Sequence, residues 1–336
     1  MLKGILRAAS VVACTAFVSS AANANDWVQM PLDNTQSWSM RMIESEMVRF
    51  PEAWQIDWDE KPQWDYVHGL NLLAITEVYQ DTKDPRLLSY VKGYYDMLVQ
   101  QDGSIKTYDI NKFNIDMVNP GKVLFFLYEE TGNPKYKKAA DLLRTQLTTH
   151  PRTEQGGFWH KKRYPDQMWL DGLYMGAPFY AEYIVKYGDM KELDDVFLQF
   201  ELIEEHLYDE KTGLPLHGWD ASKKQKWADK ETGLSQHHWS RSLGWYAMAM
   251  VDVLEVVPAE HPKTPWLQGR FKAFIDATLT YQHNSGTWYQ VTDLGSREGN
   301  YLEASGTAML TYAMAKGASL KFLPKEYKAH AEKGFA

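Results

Sequence analysis

"VYQDTKDPRLLSYVKGYYDML", residues 78–98, and "LYEETGNPKYKKAADLLRTQL", residues 127–147, are two versions of one pattern. Tyr79, Thr82 and Pro85 in the first align with Tyr128, Thr131 and Pro134 in the second. Each stretch reads as a helix end, a tight turn and a proline in the first turn of the next helix, where its missing N–H is no loss. A looser third copy, "YIVKYGDMKELDDVF", occupies 183–197. Recurrence after about 50 residues in helical sequence indicates stacked hairpins, each too small to bury its own apolar face.

Outward from these turns, apolar residues at three- and four-residue spacing predict helices over 36–50, 67–81, 85–100, 118–131, 134–149, 169–187, 190–206, 238–257, 264–284, 301–317 and 324–333. The connectors alternate in length. Those at 82–84, 132–133 and 188–189 are short; those at 101–117, 150–168, 207–237 and 285–300 are long and rich in Gly, Asp, His and Trp. The segments that follow the long connectors carry more Gly, Ala and Met and less charge, as an inner ring would. The fold class expected is therefore all-α, an (α/α)6 toroid of helical hairpins with inner and outer rings. Its mouth lies where the inner helices begin, because long loops on a rigid scaffold are where sites are built. Six hairpins need twelve helices and this count gives eleven, so the ring is expected to lack one inner helix.

Residues 1–24 are set apart from the fold. A basic start, MLKGILR, precedes a short apolar stretch and the A-x-A sequence Ala22-Asn23-Ala24, which reads as a secretory signal peptide. The mature chain, 25–336, is then a single catalytic domain exported to the periplasm; lipidation at Cys14 is the alternative. Cys14 is the one cysteine of the chain, so the exported part must be stabilised by its core rather than by disulfides. A net charge of −8 argues against nucleic acid or an anionic membrane as partner. Aromatic residues make up 14% of the chain, which fits either a large core or surfaces that stack on sugars.

Polar residues collect at the expected mouth: Asp116; His160, Lys161, Asp166 and Asp171; His217 and Asp220; His238, Trp239, Arg241 and Trp245; Arg297, Glu298 and Glu303. Each has a plain structural alternative. Asp116 and Asp171 could cap helices, Arg241 could serve a buried ion pair, the Trp side chains could be core, and Lys161 to Arg163 could be a solvated run. No paired histidines at helical spacing suggest a metal.

Five blocks, in order, carry a family resemblance: WDYVHGL (64–70), NIDMVNPGK (114–122), HKKRYPDQMWLDGLYMGAPF (160–179), HHWSRSLGWY (237–246) and GTWYQVTDLGSREGNYLEASGTAMLTYAMAKG (286–317). Together they resemble the unsaturated glycuronyl hydrolases, in particular the unsaturated rhamnogalacturonyl hydrolases of glycoside hydrolase family 105. The resemblance implies an (α/α)6 barrel without metal or cofactor. It implies Asp171 as catalytic acid/base and Asp116 as its carboxylate partner. It places Tyr66, His160, Lys161, His217, Trp239, Arg241 and Trp245 against the substrate, and it makes the absent twelfth helix the last inner one. The substrate implied is an oligosaccharide ending in a 4,5-unsaturated uronic acid, the product of a polysaccharide lyase. Its C4=C5 bond is an enol ether, and hydration there needs a carboxylic acid that keeps its proton near neutral pH. Met168, Trp169 and Leu170 are expected to desolvate Asp171, and Asp116 to repel its charge. Two rivals remain open from sequence: an ordinary inverting glycosidase, and a periplasmic oligosaccharide-binding protein.

Overall fold

Both repeated turns close by the same chemistry. Asp84 accepts a hydrogen bond from the Arg86 N–H and stands before Pro85, while Lys83 takes a left-handed φ of 56°. Asn133 accepts from the Lys135 N–H before Pro134, and Gly132 takes a φ of 66°. An acceptor side chain, a proline and a left-handed residue end one helix and start its antiparallel partner within four residues.

The computed structural model describes residues 36–336, so the signal-peptide reading falls outside the described residues. Eleven α-helices appear among them. They are α1 (Trp38–Arg49), α2 (Tyr66–Thr82), α3 (Pro85–Leu98), α4 (Gly121–Thr131), α5 (Pro134–Thr149), α6 (Leu170–Tyr187), α7 (Leu193–His206), α8 (Ser240–Val256), α9 (Thr264–Leu279), α10 (Ala304–Ser319) and α11 (Tyr327–Phe335). Helices α2, α4, α6, α8 and α10 pack side by side as the inner ring. Helix α8 is buried almost all round, whereas α3 and α9 bury a single stripe. The fold is thus the expected all-α toroid. Glycines set its closest contacts: a Cβ at Gly306 would lie 2.6 Å from the backbone of Ser240, so α8 and α10 cross there only because residue 306 has none.

Between α2 and α10 the inner ring stands open. A cleft of about 310 Å³ runs down the gap, lined by Leu70, Leu73, Ala74, Met248, Ala308 and Met309. Outside it, α1 and α11 meet edge to face through Trp38 and Phe335, 6.1 Å between ring centroids. The opening lies at the sixth inner position, where the helix count falls one short.

Two features depart from the sequence reading. Three short antiparallel ribbons brace the mouth. Strand β1 (Gln167–Trp169) pairs with β4 (Gly218–Asp220), β2 (Tyr208–Asp209) with β3 (Leu214–Pro215), and β5 (Trp288–Tyr289) with β6 (Leu302–Glu303). Helices α4 and α10 also start three residues later than expected. A separate 3-10 turn, Ile115–Val118, precedes α4, and β6 takes the residues before α10.

Candidate active site

The 3-10 turn Ile115–Val118 is pinned on three sides. The Ile115 N–H donates to the His160 carbonyl (3.1 Å), Gln146 Nε2 to the Asn114 carbonyl (3.0 Å) and Trp64 Nε1 to the Met117 carbonyl (2.8 Å). It holds Asp116 pointing at two basic side chains. Asp116 Oδ1 lies 3.1 Å from His160 Nε2, and Oδ2 lies 2.6 Å from Lys161 Nζ. Asp116 is buried. Burial pushes its carboxyl up, but the charges and hydrogen bonds of His160 and Lys161 together outweigh that and hold it below the ordinary value. Asp116 is no helix cap; Asn114 caps this turn.

Asp171 sits in the first turn of α6. The N-cap there is Trp169, which makes no side-chain cap bond, so the capping alternative fails for Asp171 as well. The β1–β4 ribbon fixes its approach: the Leu170 N–H donates to the His217 carbonyl (3.1 Å), bringing the His217 ring over the start of α6. Asp171 Oδ2 and His217 Nε2 are 3.2 Å apart. Both atoms are buried, and neither makes a properly oriented hydrogen bond with any group among the described residues. Natural proteins rarely leave such atoms unpaired, and they do so where a ligand or water completes the set. Met168 and Leu170 are buried in the core, and His217 is the ion-pair neighbour of Asp171 among the described residues. Lys161 is committed to Asp116 and is not free for a substrate carboxylate, while Lys162 and Arg163 are exposed as a solvated pair.

The remaining implied residues sit on α2, on α8 and just before α8. Tyr66 opens α2; burial raises its hydroxyl pKa first, and Asp116, Asp65 and Asp171 add to the rise while Arg241 opposes it. Trp245 stacks on Tyr174 at 4.8 Å and meets Tyr66 edge-on at 6.4 Å. Trp239 lies edge-on to His217 at 4.9 Å, with the Arg241 guanidinium 4.1 Å above its ring. Among the described residues, Arg241 has no carboxylate at ion-pair distance.

Other polar residues named for the mouth do structural work. Asp166 is a left-handed turn residue (φ 60°). His238 is buried beside Asp209 and the Pro215 carbonyl. Glu303 caps α10 through the Ser305 and Gly306 N–H groups. Arg297 faces His237, and Glu298 is exposed.

The sequence reading missed the use made of Trp169. Its ring stacks on His160 at 4.4 Å and on Tyr164 at 5.1 Å, which orients the imidazole that holds Asp116. Gly172 makes room for that imidazole, since a Cβ there would lie 2.8 Å from His160 Nδ1. The reading also missed Lys122, buried 3.9 Å above the Tyr174 ring, with burial pulling its pKa down to about 8. Among the described residues no group of three or more His, Cys, Asp or Glu is placed to hold a metal ion. A cleft of about 650 Å³ leads outward from His217 and Trp239, walled by Tyr164 and Trp169.

Residues 38–336 match the profile of Glycosyl Hydrolase Family 88. The chain belongs to that family. Among solved structures, a family 105 glycoside hydrolase of C. acetobutylicum is similar at 43% identity and a TM-score of 0.85, over 89% of this chain and 82% of that one. The unsaturated glucuronyl hydrolase of Bacillus sp. GL1 shares the fold at 14% identity and a TM-score of 0.62, over 82% and 74% of the two chains. The 24.9 kDa protein in picA locus of Rhizobium radiobacter is 36% identical over 152 residues, 45% of this chain. The match covers 64% of that relative's length. An unsaturated 3S-rhamnoglycuronyl hydrolase of Formosa agariphila is 24% identical over 153 residues, 44% of this chain and 40% of that one.

Proposed function

We propose that this family 88 chain hydrates the C4=C5 double bond of a terminal unsaturated uronic acid on lyase-generated oligosaccharides. The favoured substrate is unsaturated galacturonyl-rhamnose from rhamnogalacturonan, with the uronate released. The observation that carries the reading is the Asp171–His217 pair, whose facing atoms are buried, unpaired and 3.2 Å apart, beside a carboxylate held ionised by His160 and Lys161. Two carboxylates in one pocket are thereby given different tasks.

Protonated Asp171 delivers its proton to C4, leaving an oxocarbenium ion centred on C5 and the ring oxygen. Water adds to C5, and the Asp171 carboxylate takes the proton that the water loses. The resulting hemiketal opens and frees the rest of the chain. His217 Nε2 faces the oxygen of Asp171 that exchanges the proton and orients it. Asp116, held ionised on His160 and Lys161, supplies negative charge opposite the developing cation. Arg241, unpaired and stacked on Trp239, takes the uronate carboxylate. Trp245 and Tyr66 close the wall behind the sugar.

The relative from Formosa, an unsaturated 3S-rhamnoglycuronyl hydrolase, supports this class of substrate. Export through residues 1–24 belongs to the same proposal, and a periplasmic mature chain beginning at Asn25 is its N-terminal sequencing result. The activity is tested by incubating the protein with lyase-treated and untreated polysaccharides and following the enol-ether absorbance. Loss of absorbance with the lyase products alone supports hydration. Cleavage of untreated polymer would instead favour an ordinary glycosidase, and binding without turnover would favour a transport protein.

A further inference from the structure

The cleft that leaves the catalytic pair does not stop at Trp169 and Trp239. It continues between Gln225, Trp227, Ser235, Gln236 and His237, all on the connector from β4 to α8. That connector is long, yet it is tied down throughout. Asp220 is fully buried and accepts four hydrogen bonds, from the Ser222 N–H (3.0 Å), the Ser222 hydroxyl (2.7 Å) and the Lys224 and Gln225 N–H groups (2.8 Å each). Its own N–H donates to the Gly233 carbonyl at 2.8 Å, and the Ser235 N–H donates to the Gly218 carbonyl at 2.9 Å. Asp229 closes the far side by accepting from the N–H groups of Glu231 (2.9 Å) and Thr232 (2.7 Å). The loop is therefore a scaffold fixed before any ligand arrives.

Its product is Trp227. The side chain is half-buried and, among the described residues, no other aromatic ring stacks on it. It faces the cleft together with two amides, a hydroxyl and an imidazole. A flat apolar face ringed by such groups suits a sugar, whose axial C–H faces stack while its hydroxyls both donate and accept. Lys224 and Lys226 flank the tryptophan, both exposed and without a carboxylate at ion-pair distance among the described residues. In a chain of net charge −8 this is a local positive edge, and it favours an acidic saccharide.

We infer that Trp227, carried on the loop folded around Asp220, is the stacking platform for a sugar lying beyond the residue bonded to the unsaturated uronate. The preferred substrate is then an acidic oligosaccharide longer than a disaccharide. The inference rests on the proposed hydrolase reading, and Asp220 acts in it as a positioning residue. The catalytic groups are reached by the disaccharide alone, so Trp227 matters in proportion to chain length.

The test compares an unsaturated disaccharide with the tetrasaccharide of the same polymer, using wild type, Trp227→Ala and Trp227→Phe, each checked for its fold by circular dichroism. Wild type should turn over the tetrasaccharide with a kcat/KM roughly tenfold higher, the gain residing in KM, as removal of one stacked ring predicts. Trp227→Ala should erase the gain without changing kcat/KM for the disaccharide, and Trp227→Phe should keep most of it. Equal kcat/KM for both lengths in wild type, or a gain that survives in Trp227→Ala, overturns the subsite and leaves the hydrolase reading standing. Absence of turnover of either length by wild type overturns the hydrolase reading and the subsite with it.

Discussion

Lys161→Met removes the ammonium 2.6 Å from Asp116 Oδ2 while keeping most of the apolar stem. Removing one partner of a buried pair typically costs about 3–5 kcal/mol, because the other charge is left uncompensated. Here the Lys161 side chain is 21% exposed and His160 remains 3.1 Å from the other oxygen, so the expected cost is about 2 kcal/mol at pH 7. The change should also weaken a pH dependence. In wild type the Asp116 carboxyl lies below its ordinary value of 3.8. Its contribution is full above that value and is lost as pH falls through the lower folded value. Burial is the largest influence on this carboxyl and it acts upward. With Lys161 gone, that upward influence is opposed by His160 without its help, the folded value moves up, and the loss of stability on the acid side shrinks. Urea denaturation followed by circular dichroism at pH 7.5 measures the effect in a cycle of Lys161→Met, Asp116→Asn and the double variant. A coupling of about 2 kcal/mol is expected. Additivity within about 0.5 kcal/mol would show that the pair is not coupled and that Asp116 is not held ionised by Lys161.

Asp171→Asn should lower kcat by at least ~10²–10⁴-fold, the usual worth of a general acid–base group, while calorimetry still detects oligosaccharide binding; a folded variant with near-wild-type turnover would remove Asp171 from the chemistry. His150 is buried under the Asp116 turn, with Nε2 donating to the Trp159 carbonyl (2.7 Å) and Nδ1 facing Gln146, and burial lowers its pKa to about 4. The unfolded chain therefore binds a proton near 6.5 that the folded chain refuses until about 4, so stability is lost as pH falls through that window, by up to about 3 kcal/mol. His150→Gln should flatten denaturation midpoints between pH 6.5 and 4; an unchanged slope would assign the acid sensitivity elsewhere.

The hairpins were legible because their signals are local. Asp84-Pro85 and Asn133-Pro134 each specify a turn within a few residues, and the inner helices announce themselves by low charge. The ribbons were not legible, because a pair such as Gln167 with Asp220 joins two connectors through two or three residues each, too short to show any periodicity. At the site, the block resemblance pointed to Asp116 and Asp171, and both stand at the mouth. Their partners could not be read off. Lys161 and Asp116 come from different connectors, and His217 on a connector meets Asp171 on α6, so each pairing depends on how the loops lie against the rest of the barrel. The ribbon that sets His217 over Asp171 is the same one that the sequence concealed.

Hydration of the double bond and attack at the anomeric carbon leave different isotopic marks, and this separates the central claim from its rival in one experiment. The unsaturated disaccharide is incubated with the protein in deuterium oxide enriched in oxygen-18, and the released uronate is examined by mass spectrometry and NMR. The account predicts loss of the enol-ether absorbance, deuterium at C4 and oxygen-18 at C5. Released uronate that keeps its absorbance, carries no deuterium at C4 and holds oxygen-18 at C1 would contradict it.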